Sequence, residues 1–470
     1  MAHPALLVEK TSGGSSEDSG SQQGEVFERP KGWRGVYYHP TTQICMLGFT
    51  CFMCPGMFNA LTGLGGGGKA STTANDNATA ALYSTFAFFG FFSGTANNIL
   101  GERLTLVLGT WGYSLYIASY LATNFHPGAG DFVVVAGAIL GVCAALLWTA
   151  QGALMMAYPT EAQKGLYIGI FWAIFNLGGV VGSAVAFGNN FNSTVIGNGT
   201  YIGFLILTLI GVFIPFFMAN PAIRTDGTKV PRVQHPSWKH EFISLWWALR
   251  TDPWILLLFP LFFASNYFYT WQFSDYNAAI FDIRARGLNN FVYWTSQIFG
   301  SISIGYFVLD QPRYRRRTRA FAGWVVVTGM VFVIHIWAYF YQRTYTRATA
   351  GSIMMDINNK EYAAHVWLMI FYGLLDSMWQ TYAYWLMGAM SNDPAKLAVF
   401  TGFYKGIQSA GAAVVWRADG LLVPYMNIFL STWCLTAAGM LFALPMVYLR
   451  VKDHTELQDE SMYVSSTSHG

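Results

Sequence analysis

Twelve separate stretches of about 20 mainly apolar residues run through this 470-residue chain. Each is long enough to cross a bilayer, because a helix rises about 1.5 Å per residue and the hydrocarbon core is about 30 Å thick. Only 11% of the residues are charged, about half the share of a soluble domain. The stretches lie near 41–63, 78–98, 104–123, 132–157, 165–188, 201–219, 253–272, 291–309, 320–341, 362–389, 397–416 and 424–449.

The fold class that follows is an all-α, polytopic membrane protein with 12 transmembrane helices. The apolar runs are continuous rather than alternating, which excludes a membrane β-barrel. Helices satisfy their own backbone hydrogen bonds in lipid, so a helical bundle remains. The lipid bilayer is therefore the first predicted partner, and a net charge of +3 indicates no nucleic-acid partner.

The distribution of Lys and Arg predicts the orientation of the chain. With the amino terminus inside, nineteen of these residues fall in inner segments and seven in outer loops, as the positive-inside rule expects. The densest group, Arg313 to Arg319, occupies one short loop. Both termini are therefore predicted to be cytoplasmic, in the plasma membrane or an endomembrane.

Three N-x-[ST] glycosylation acceptors agree with this orientation. They begin at Asn77, Asn192 and Asn198, and all three fall in loops that the charge count places outside. Asn77 lies close to the start of a predicted helix, so Asn192 and Asn198 are the better candidates.

The chain divides into two groups of six spans around a polar segment interrupted by prolines. No cleavable signal pattern precedes the first span, so that span is expected to direct insertion. The predicted units are a disordered cytoplasmic amino terminus (1–40), a first six-helix bundle (41–219), a cytoplasmic linker (220–252), a second six-helix bundle (253–449) and a cytoplasmic tail (450–470).

The two halves show internal similarity at a constant shift of 232 residues. Lys164 then matches Lys396, Phe171 matches Phe403, Asn176 matches Gln408 and Gly179 matches Gly411. Two six-helix halves in parallel repeat are the arrangement of major facilitators, which hold a substrate between the halves near the bilayer midplane.

The loop between spans two and three resembles the facilitator signature G-x-x-x-D-x-x-G-x-[RK]. Gly94, Gly101 and Arg103 fit it, but Asn98 stands where the aspartate is usual. These four residues are gate-loop candidates, and a generic glycine turn is the alternative.

Other short motifs do not predict a cofactor. The glycine run from Gly63 to Lys69 is not a phosphate loop, because Ala70 stands where the magnesium-binding hydroxyl belongs and a membrane span precedes it. It is interpreted as a flexible loop. Cys51 and Cys54 have no second pair to complete a zinc site. We therefore expect no metal, no cofactor and no enzymatic activity.

Two ionisable residues lie inside predicted spans, where a charge costs about 2.5–3.5 kcal/mol. Asp376 and Lys405 are expected to meet in the second bundle. Gln380 shares a helix face with Asp376, and Gln408 shares one with Lys405. The group is a candidate for substrate binding or coupling, and a purely structural pair that fixes helix packing is the alternative.

Uncharged polar residues extend this candidate site. Asn59, Gln151 and Asn176 lie in the first bundle, and Asn266 lies in span seven. Trp148 is about one helical turn from Gln151. Amides and aromatic rings together suit an organic ligand, whereas hydrogen bonds that hold helices together are the alternative.

Several long strings resemble the uncoordinated-93-like family and its fungal branch, from about residue 36 to 450. They begin at Pro55 (PGMFNALTGLG), Leu147 (LWTAQG), Tyr158 (YPTEAQKG), Phe171 (FWAIFNLGG), Tyr384 (YWLMG) and Phe403 (FYKGIQSAG). The resemblance implies a fold like that of major facilitators. It also implies either a transporter or a protein that regulates or escorts other membrane proteins, such as potassium channels and innate immune receptors.

Two functions therefore remain open. The first is a secondary transporter that moves an unidentified small solute or ion by alternating access. The second is a non-transporting regulator or trafficking escort with a membrane-protein partner.

Overall fold

The structure, a computed structural model, describes residues 31–68, 73–158, 164–193, 196–219, 253–352, 354–390 and 394–452, together with residues 243, 246, 249 and 250. The side chains at 98, 156, 157, 164–166, 168 and 394–401 are not described. The predicted amino-terminal tail before residue 31, almost all of the linker 220–252 and the tail beyond residue 452 lie outside the described residues.

Among the described residues, twelve helical segments, some of them interrupted, confirm the predicted spans. They are α1 (Pro40–Gly63), α2 (Thr73–Leu100), α3 (Glu102–Phe125), α4 (Gly130–Ala157), α5 (Lys164–Asn189), α6 (Asn198–Phe217), α7 (Pro253–Leu258, Phe259–Ala264 and Thr270–Ala278), α8 (Ile283–Ile304, continued by Gly305–Leu309), α9 (Arg316–Gln342), α10 (Tyr362–Met390), α11 (Pro394–Gly420) and α12 (Tyr425–Arg450). We call α1–α6 the first half and α7–α12 the second half.

Six of these segments are apolar enough to cross a membrane by length and composition alone: α1, α4, α5, α6, α9 and α12. Among the remaining six, α7, α8, α10 and α11 carry polar side chains that bond to one another inside the bundle. A polar residue that finds a partner away from lipid lowers the mean hydropathy of its helix without exposing a polar group to hydrocarbon.

Two pairs of closely packed helices, one from each half, join the halves of the bundle. Within the halves, α2 packs on α4, α1 on α5, α8 on α10, and α9 on α12. Between the halves, α2 packs on α11 and α5 on α8. Gly178 of α5 allows the closest approach to α1, because a Cβ atom there would lie 2.4 Å from the Phe52 carbonyl oxygen. The glycine at this position therefore allows the two helices to pack closely.

Two helices are interrupted. Pro55 lacks an N–H group and divides α1 into Pro40–Met53 and Pro55–Gly63. In α7, regular α-helix stops at Ala264, and a wider π-helical segment begins at Thr270. The break frees the Ser265 carbonyl oxygen, which accepts a hydrogen bond from Gln380 Nε2 at 2.9 Å. The break in α7 thus provides a backbone acceptor for α10 within the second half.

We call the end of the bundle that carries the loops after α1 and α7 the Gly65 end, and the opposite end, after α8, the Arg315 end. Hydrogen bonds between the halves gather at the Gly65 end. Arg286 of α8 donates from Nε to the Leu64 carbonyl oxygen at 2.6 Å and from Nη2 to the Gly65 carbonyl oxygen. Asn290 donates to the Ala60 carbonyl oxygen at 2.7 Å.

Two further bonds complete this set, which we call the latch. Asn277 of α7 donates to the Gly63 carbonyl oxygen at 2.8 Å. Arg417 of α11 donates to Asn77 Oδ1 at 2.6 Å. The Gly65 end is therefore closed by side chains of the second half that bond mainly to backbone carbonyls of the first half.

The glycine run differs from the expected flexible loop. The residues from Gly63 to Gly68 are buried, and Gly65 has a φ of 70°. A Cβ atom at Gly65 would lie 2.1 Å from the Phe273 carbonyl oxygen, so glycine is required both for the backbone conformation and for the contact. The glycines make a compact turn that presents carbonyl oxygens to Arg286.

The second departure from the sequence-based prediction concerns the start of span eight. We expected this span to begin near residue 291, with Arg284 and Arg286 in a loop, but the helix begins at Ile283. Asp282 caps it by accepting a hydrogen bond from the Ala285 N–H at 2.8 Å. Arg286 is consequently a buried helical residue, only 7% exposed.

Candidate functional site

A polar cluster lies between the halves at the middle of the bundle, centred on Asp376 of α10. Its carboxylate oxygen Oδ2 accepts hydrogen bonds from Tyr269 Oη at 2.9 Å, Tyr293 Oη at 3.0 Å and Gln297 Nε2 at 2.6 Å. Oδ1 accepts a longer bond from Gln380 Nε2 at 3.4 Å. Asp376 is only 1% exposed, so these four donors replace the water that a carboxylate would otherwise bind.

Two glutamines continue the cluster toward α11. Gln380 accepts a hydrogen bond from Tyr404 Oη at 2.6 Å. Gln408 donates to Asn266 Oδ1 at 2.9 Å and, over 3.3 Å, to Gln380 Oε1. The amides form a bridge because each glutamine is both a donor and an acceptor.

Lys405 ends the bridge. Its Nζ donates to Gln408 Oε1 at 2.9 Å and lies over three aromatic rings, at 5.6 Å from the centroid of Trp148, 5.6 Å from that of Tyr384 and 5.3 Å from that of Tyr404. Trp148 belongs to α4 of the first half. The ammonium group is therefore stabilised by cation–π contacts from both halves.

The expected direct pair between Asp376 and Lys405 is replaced by a bridged one. Within the described residues, Lys405 has no carboxylate at ion-pair distance, and Gln408 and Gln380 lie between the two charges. The two groups still interact electrostatically over this longer distance. The four donors already bound to Asp376 satisfy its carboxylate without a direct contact from Lys405.

The structure brings together Asp376, Gln380, Lys405, Gln408 and Trp148 from the residues that the sequence singled out. Asn266 joins them through Gln408. The other amides lie apart. Gln151 donates to Met155 Sδ on its own helix at 3.3 Å, and among the described residues Asn59 and Asn176, both half-buried, form no side-chain hydrogen bond with the cluster.

One side of the cluster is partly exposed. Lys405, Gln380, Asn266, Trp148 and Tyr384 are each half-buried, whereas Asp376 and Gln408 are buried. We call the partly exposed surface of these five residues the crevice. A solute in the crevice would meet a cation, amide groups and aromatic rings.

Sequence reasoning missed the tyrosines and the third glutamine of this site. Tyr269, Tyr293 and Tyr404 each donate to a member of the cluster. The spacing of Tyr293 and Gln297, four residues apart on one helix face, was the available signal. Neutral polar residues are frequent in membrane helices, so this spacing alone did not separate them from ordinary interhelical contacts.

A second charged cluster, also missed, lies at the Gly65 end. Arg347, from the segment between α9 and α10, contacts Asp419 of α11, and its Nη2 lies 3.7 Å from Asp275 Oδ1 of α7. Both carboxyl groups are fully buried. The Arg347 guanidinium also lies over the Tyr425 ring at 4.1 Å from its centroid. This cluster ties the outermost parts of the second half together.

The predicted gate loop forms a tight turn. Gly94 lies within α2, and Gly101, with a φ of 80°, separates α2 from α3. Arg103 is exposed in the first turn of α3. The Asn98 side chain lies outside the described residues, so the role of the substituted aspartate position stays a prediction.

The three glycosylation acceptors differ in their surroundings. Asn192 lies exposed in the turn after α5, and Asn198 is exposed at the start of α6, where it accepts a hydrogen bond from Asn124 at 2.7 Å. Asn77 lies inside α2, and Arg417 donates to its Oδ1. A glycan on Asn77 Nδ2 would lie beside this latch contact, inside a helix that packs against α11.

Comparison with known proteins places the chain in a family. A profile described as "Ion channel regulatory protein UNC-93" matches residues 68–444. The chain belongs to the UNC-93 family. A UNC93-like protein of Schizosaccharomyces pombe is 44% identical over 451 residues, which cover 94% of this chain and 89% of that protein. UNC93-like protein 1 of Arabidopsis thaliana is 40% identical over 441 residues, covering 92% and 95% of the two chains.

Solved structures show that this UNC-93 family member has the major facilitator fold. The D-xylose-proton symporter superposes with a TM-score of 0.61, at 11% sequence identity, covering 89% of this chain and 100% of that one. At this identity the similarity concerns the fold alone. The chain is thus an integral, multi-pass membrane protein of transporter-like architecture, as its sequence predicted.

Proposed function

We propose that this UNC-93 family protein is a secondary transporter that moves a small solute by alternating access. The observation that carries the proposal is the half-buried Lys405, which the second half holds against Trp148 of the first half inside a facilitator fold. A cation at this depth costs about 2.5–3.5 kcal/mol. A charge kept only to hold helices together is expected to have a directly paired counter-charge, and within the described residues Lys405 donates to the neutral Gln408 instead.

Alternating access requires one end of the bundle to close while the other admits the solute. The latch supports this part of the proposal, because its hydrogen bonds to the Ala60, Gly63, Leu64 and Gly65 carbonyls close the Gly65 end. The latch bonds to backbone acceptors, which remain hydrogen-bonding groups whether they face protein or water. Its closure is therefore reversible.

Asp376 is the proposed coupling residue. A carboxylate held by four donors can bind a proton or a cation when those donors move. The titratable groups that face it are Tyr269 of α7, Tyr293 of α8, Tyr83 of α2, and Tyr404 and Lys405 of α11. Since the four phenols are ordinarily neutral, Asp376 and Lys405 carry the charge of the site.

The orientation is also part of the proposal. The Arg315 end, with its basic loop, faces the cytoplasm together with both termini, and the Gly65 end, with Asn192, faces the opposite side. The membrane is the plasma membrane or an endomembrane. Nothing in the site suggests bond-breaking chemistry, so the proposed role is not enzymatic.

Transport is tested with purified protein in liposomes carrying an imposed proton or sodium gradient. We expect gradient-driven uptake of a solute from a metabolite panel, strongly reduced by Asp376→Asn. Gln151→Ala is the matched control, because Gln151 is a buried intramembrane amide outside the cluster, and its uptake should be unchanged. Absence of flux and of ligand-induced thermal stabilisation across a broad panel would refute the proposal.

Regulation of another membrane protein is the second candidate, favoured by the description of the matching family profile. In this case a channel or receptor would co-purify reproducibly from native membranes. Its recovery would depend on lipid-facing residues such as those of α6 or α9, and Asp376→Asn would leave it unchanged. The effect of this one substitution on flux and on co-purification separates the two functions.

A further inference from the structure

We infer that the solute is an organic monoanion with a flat apolar body, and that Lys405 is the counter-ion of its anionic group. This inference rests on the proposed transport function and names the class of substrate. It is drawn from the hydrogen bonds, charges and rings that surround the crevice.

The first step concerns hydrogen-bonding capacity. An ammonium group has three donors, and within the described residues Lys405 Nζ uses one of them, on Gln408 Oε1. Asp376, by contrast, accepts from four donors and is buried behind the glutamines. The charge that faces the crevice with donors to spare is therefore positive.

The second step concerns the rings around this cation. Trp148, Tyr384 and Tyr404 surround Nζ at 5.3–5.6 Å. Trp172 continues the aromatic wall, with its ring centroid 6.2 Å from that of Tyr384. Trp148 and Trp172 come from the first half and Tyr384 and Tyr404 from the second. A flat apolar group between these walls would contact both halves at once and exclude water from the ion pair.

The third step excludes the other solute classes. A cationic solute would meet Lys405 before any free carboxylate, and like charges at short distance repel. A neutral polyol would leave the cation without a counter-ion. Its hydroxyl groups would also lose hydrogen bonds to water and contact aromatic rings instead. A carboxylate attached to an aromatic or planar apolar body matches both the charge and the wall.

Binding is measured with the full-length protein in detergent, by Trp fluorescence and thermal stabilisation. Benzoate, phenylacetate and indole-3-acetate are compared with their uncharged amides. We expect the acids to bind and the amides to bind about 10- to 100-fold more weakly, which is the contribution of a charge-assisted hydrogen bond.

Two variants assign the effect to Lys405. Lys405→Met keeps the length of the side chain and removes the charge, so it should lose the preference for acids over amides. Lys405→Arg keeps the charge and should retain the preference. Equal affinities for acids and amides in the unmodified protein, or an unchanged preference in Lys405→Met, would overturn the inference.

Flux separates this inference from the proposed function. Uptake of a neutral or cationic solute, unaffected by Lys405→Met, would support the transport function and refute the inference that the substrate is an anion. Lys405-dependent binding of aromatic acids without any flux would sustain the binding site and refute transport.

Discussion

Replacing Arg286 with methionine should open the Gly65 end of the bundle. The guanidinium donates to two carbonyl oxygens of the glycine turn, at Leu64 and Gly65, and is buried between the halves. Methionine fills a similar length of space but donates no hydrogen bond. The closed end then loses two bonds to a charged donor and leaves two carbonyl oxygens without that partner.

The size of the effect follows from these two bonds. A hydrogen bond to a charged group contributes roughly 1.5–3 kcal/mol, so the closed state loses roughly 3–6 kcal/mol relative to the open one. Since about 1.4 kcal/mol corresponds to a factor of ten, the ratio of open to closed molecules should rise by about 10² to 10⁴. The remaining latch bonds of Asn277, Asn290 and Arg417 set the starting ratio.

Cysteine accessibility measures this ratio. Thr79 is 1% exposed and lies on α2, two residues after the latch residue Asn77, so we expect Thr79→Cys to be labelled by a small thiol reagent mainly while the latch is open. Cys45 and Cys434, the two native cysteines that are not buried, are replaced by serine. The same protein with Thr79 retained gives the background, and the labelling rate is proportional to the open fraction.

Arg284→Met is the matched control, two residues away in the same helical turn. Arg284 pairs with Asp356 of the following loop, within the second half. Partial burial acts to raise the pKa of Asp356, but hydrogen bonds from the Asn358 N–H and from Arg284 lower it to about 2. The control thus removes an ion pair within the second half and a cation–π contact with Phe191 of the first half at 5.0 Å, but no hydrogen bond to the glycine turn. Its labelling rate should therefore rise far less than that of Arg286→Met.

Equal labelling rates in the Arg286→Met and Arg284→Met proteins would refute the latch. If Arg286→Met fails to fold, Asn290→Ala removes a single neutral bond to the Ala60 carbonyl oxygen and should raise labelling about 2- to 10-fold. An unchanged rate in that variant would refute it as well.

Three further outcomes follow from the structure. Arg347→Gln leaves two fully buried carboxyl groups without their guanidinium partner, and this loss costs roughly 3–5 kcal/mol of stability. The melting temperature in detergent should therefore fall sharply, and an unchanged value would contradict the pairing. Gly178→Leu should abolish folded protein in size-exclusion chromatography because α1 lies against it, whereas Gly402→Leu, with nothing within 4 Å of its added Cβ, should elute as the parent does. In a eukaryotic host, Asn192→Gln should remove a glycan seen as a gel shift, and Asn77→Gln should not, because Asn192 is exposed in a turn and Asn77 lies inside α2. A gel shift with Asn77→Gln alone would contradict this prediction.

The sequence predicted the helices well because lipid imposes a length and a hydropathy on each span. Predicted and observed limits agree closely for α5, expected over 165–188 and found over Lys164–Asn189. We misplaced the start of α8 because a hydropathy pattern counts every arginine as unfavourable inside a span. The pattern contains no information about the groups that accept hydrogen bonds from that arginine. Arg286 is tolerated inside the bundle since two backbone carbonyls of a distant turn accept its hydrogen bonds.

The candidate site was only partly predictable for a related reason. Asp376 and Lys405 stood out because isolated charges in lipid are costly. The tyrosines that donate to Asp376 did not stand out, since tyrosine side chains are as common in contacts between helices as in ligand-binding sites. The direction of each hydrogen bond, and hence the bridge of glutamines between the two charges, depends on the contact of α7, α8, α10 and α11, which no local pattern encodes.

The two halves of the repeat contribute unequally to the central site and to the latch. A shift of 232 residues places Asn176 of α5 on Gln408 of α11, yet Gln408 bridges the charged groups and Asn176 stays outside the cluster. The second half supplies both charges of the central site and the donor side chains of the latch, whereas the first half supplies Trp148, the backbone carbonyls and Asn77. In an alternating-access motion a solute paired with Lys405 would therefore move with the second half. The rings of the first half offer several equivalent contacts, so the first half could move relative to the bound solute without breaking an ion pair.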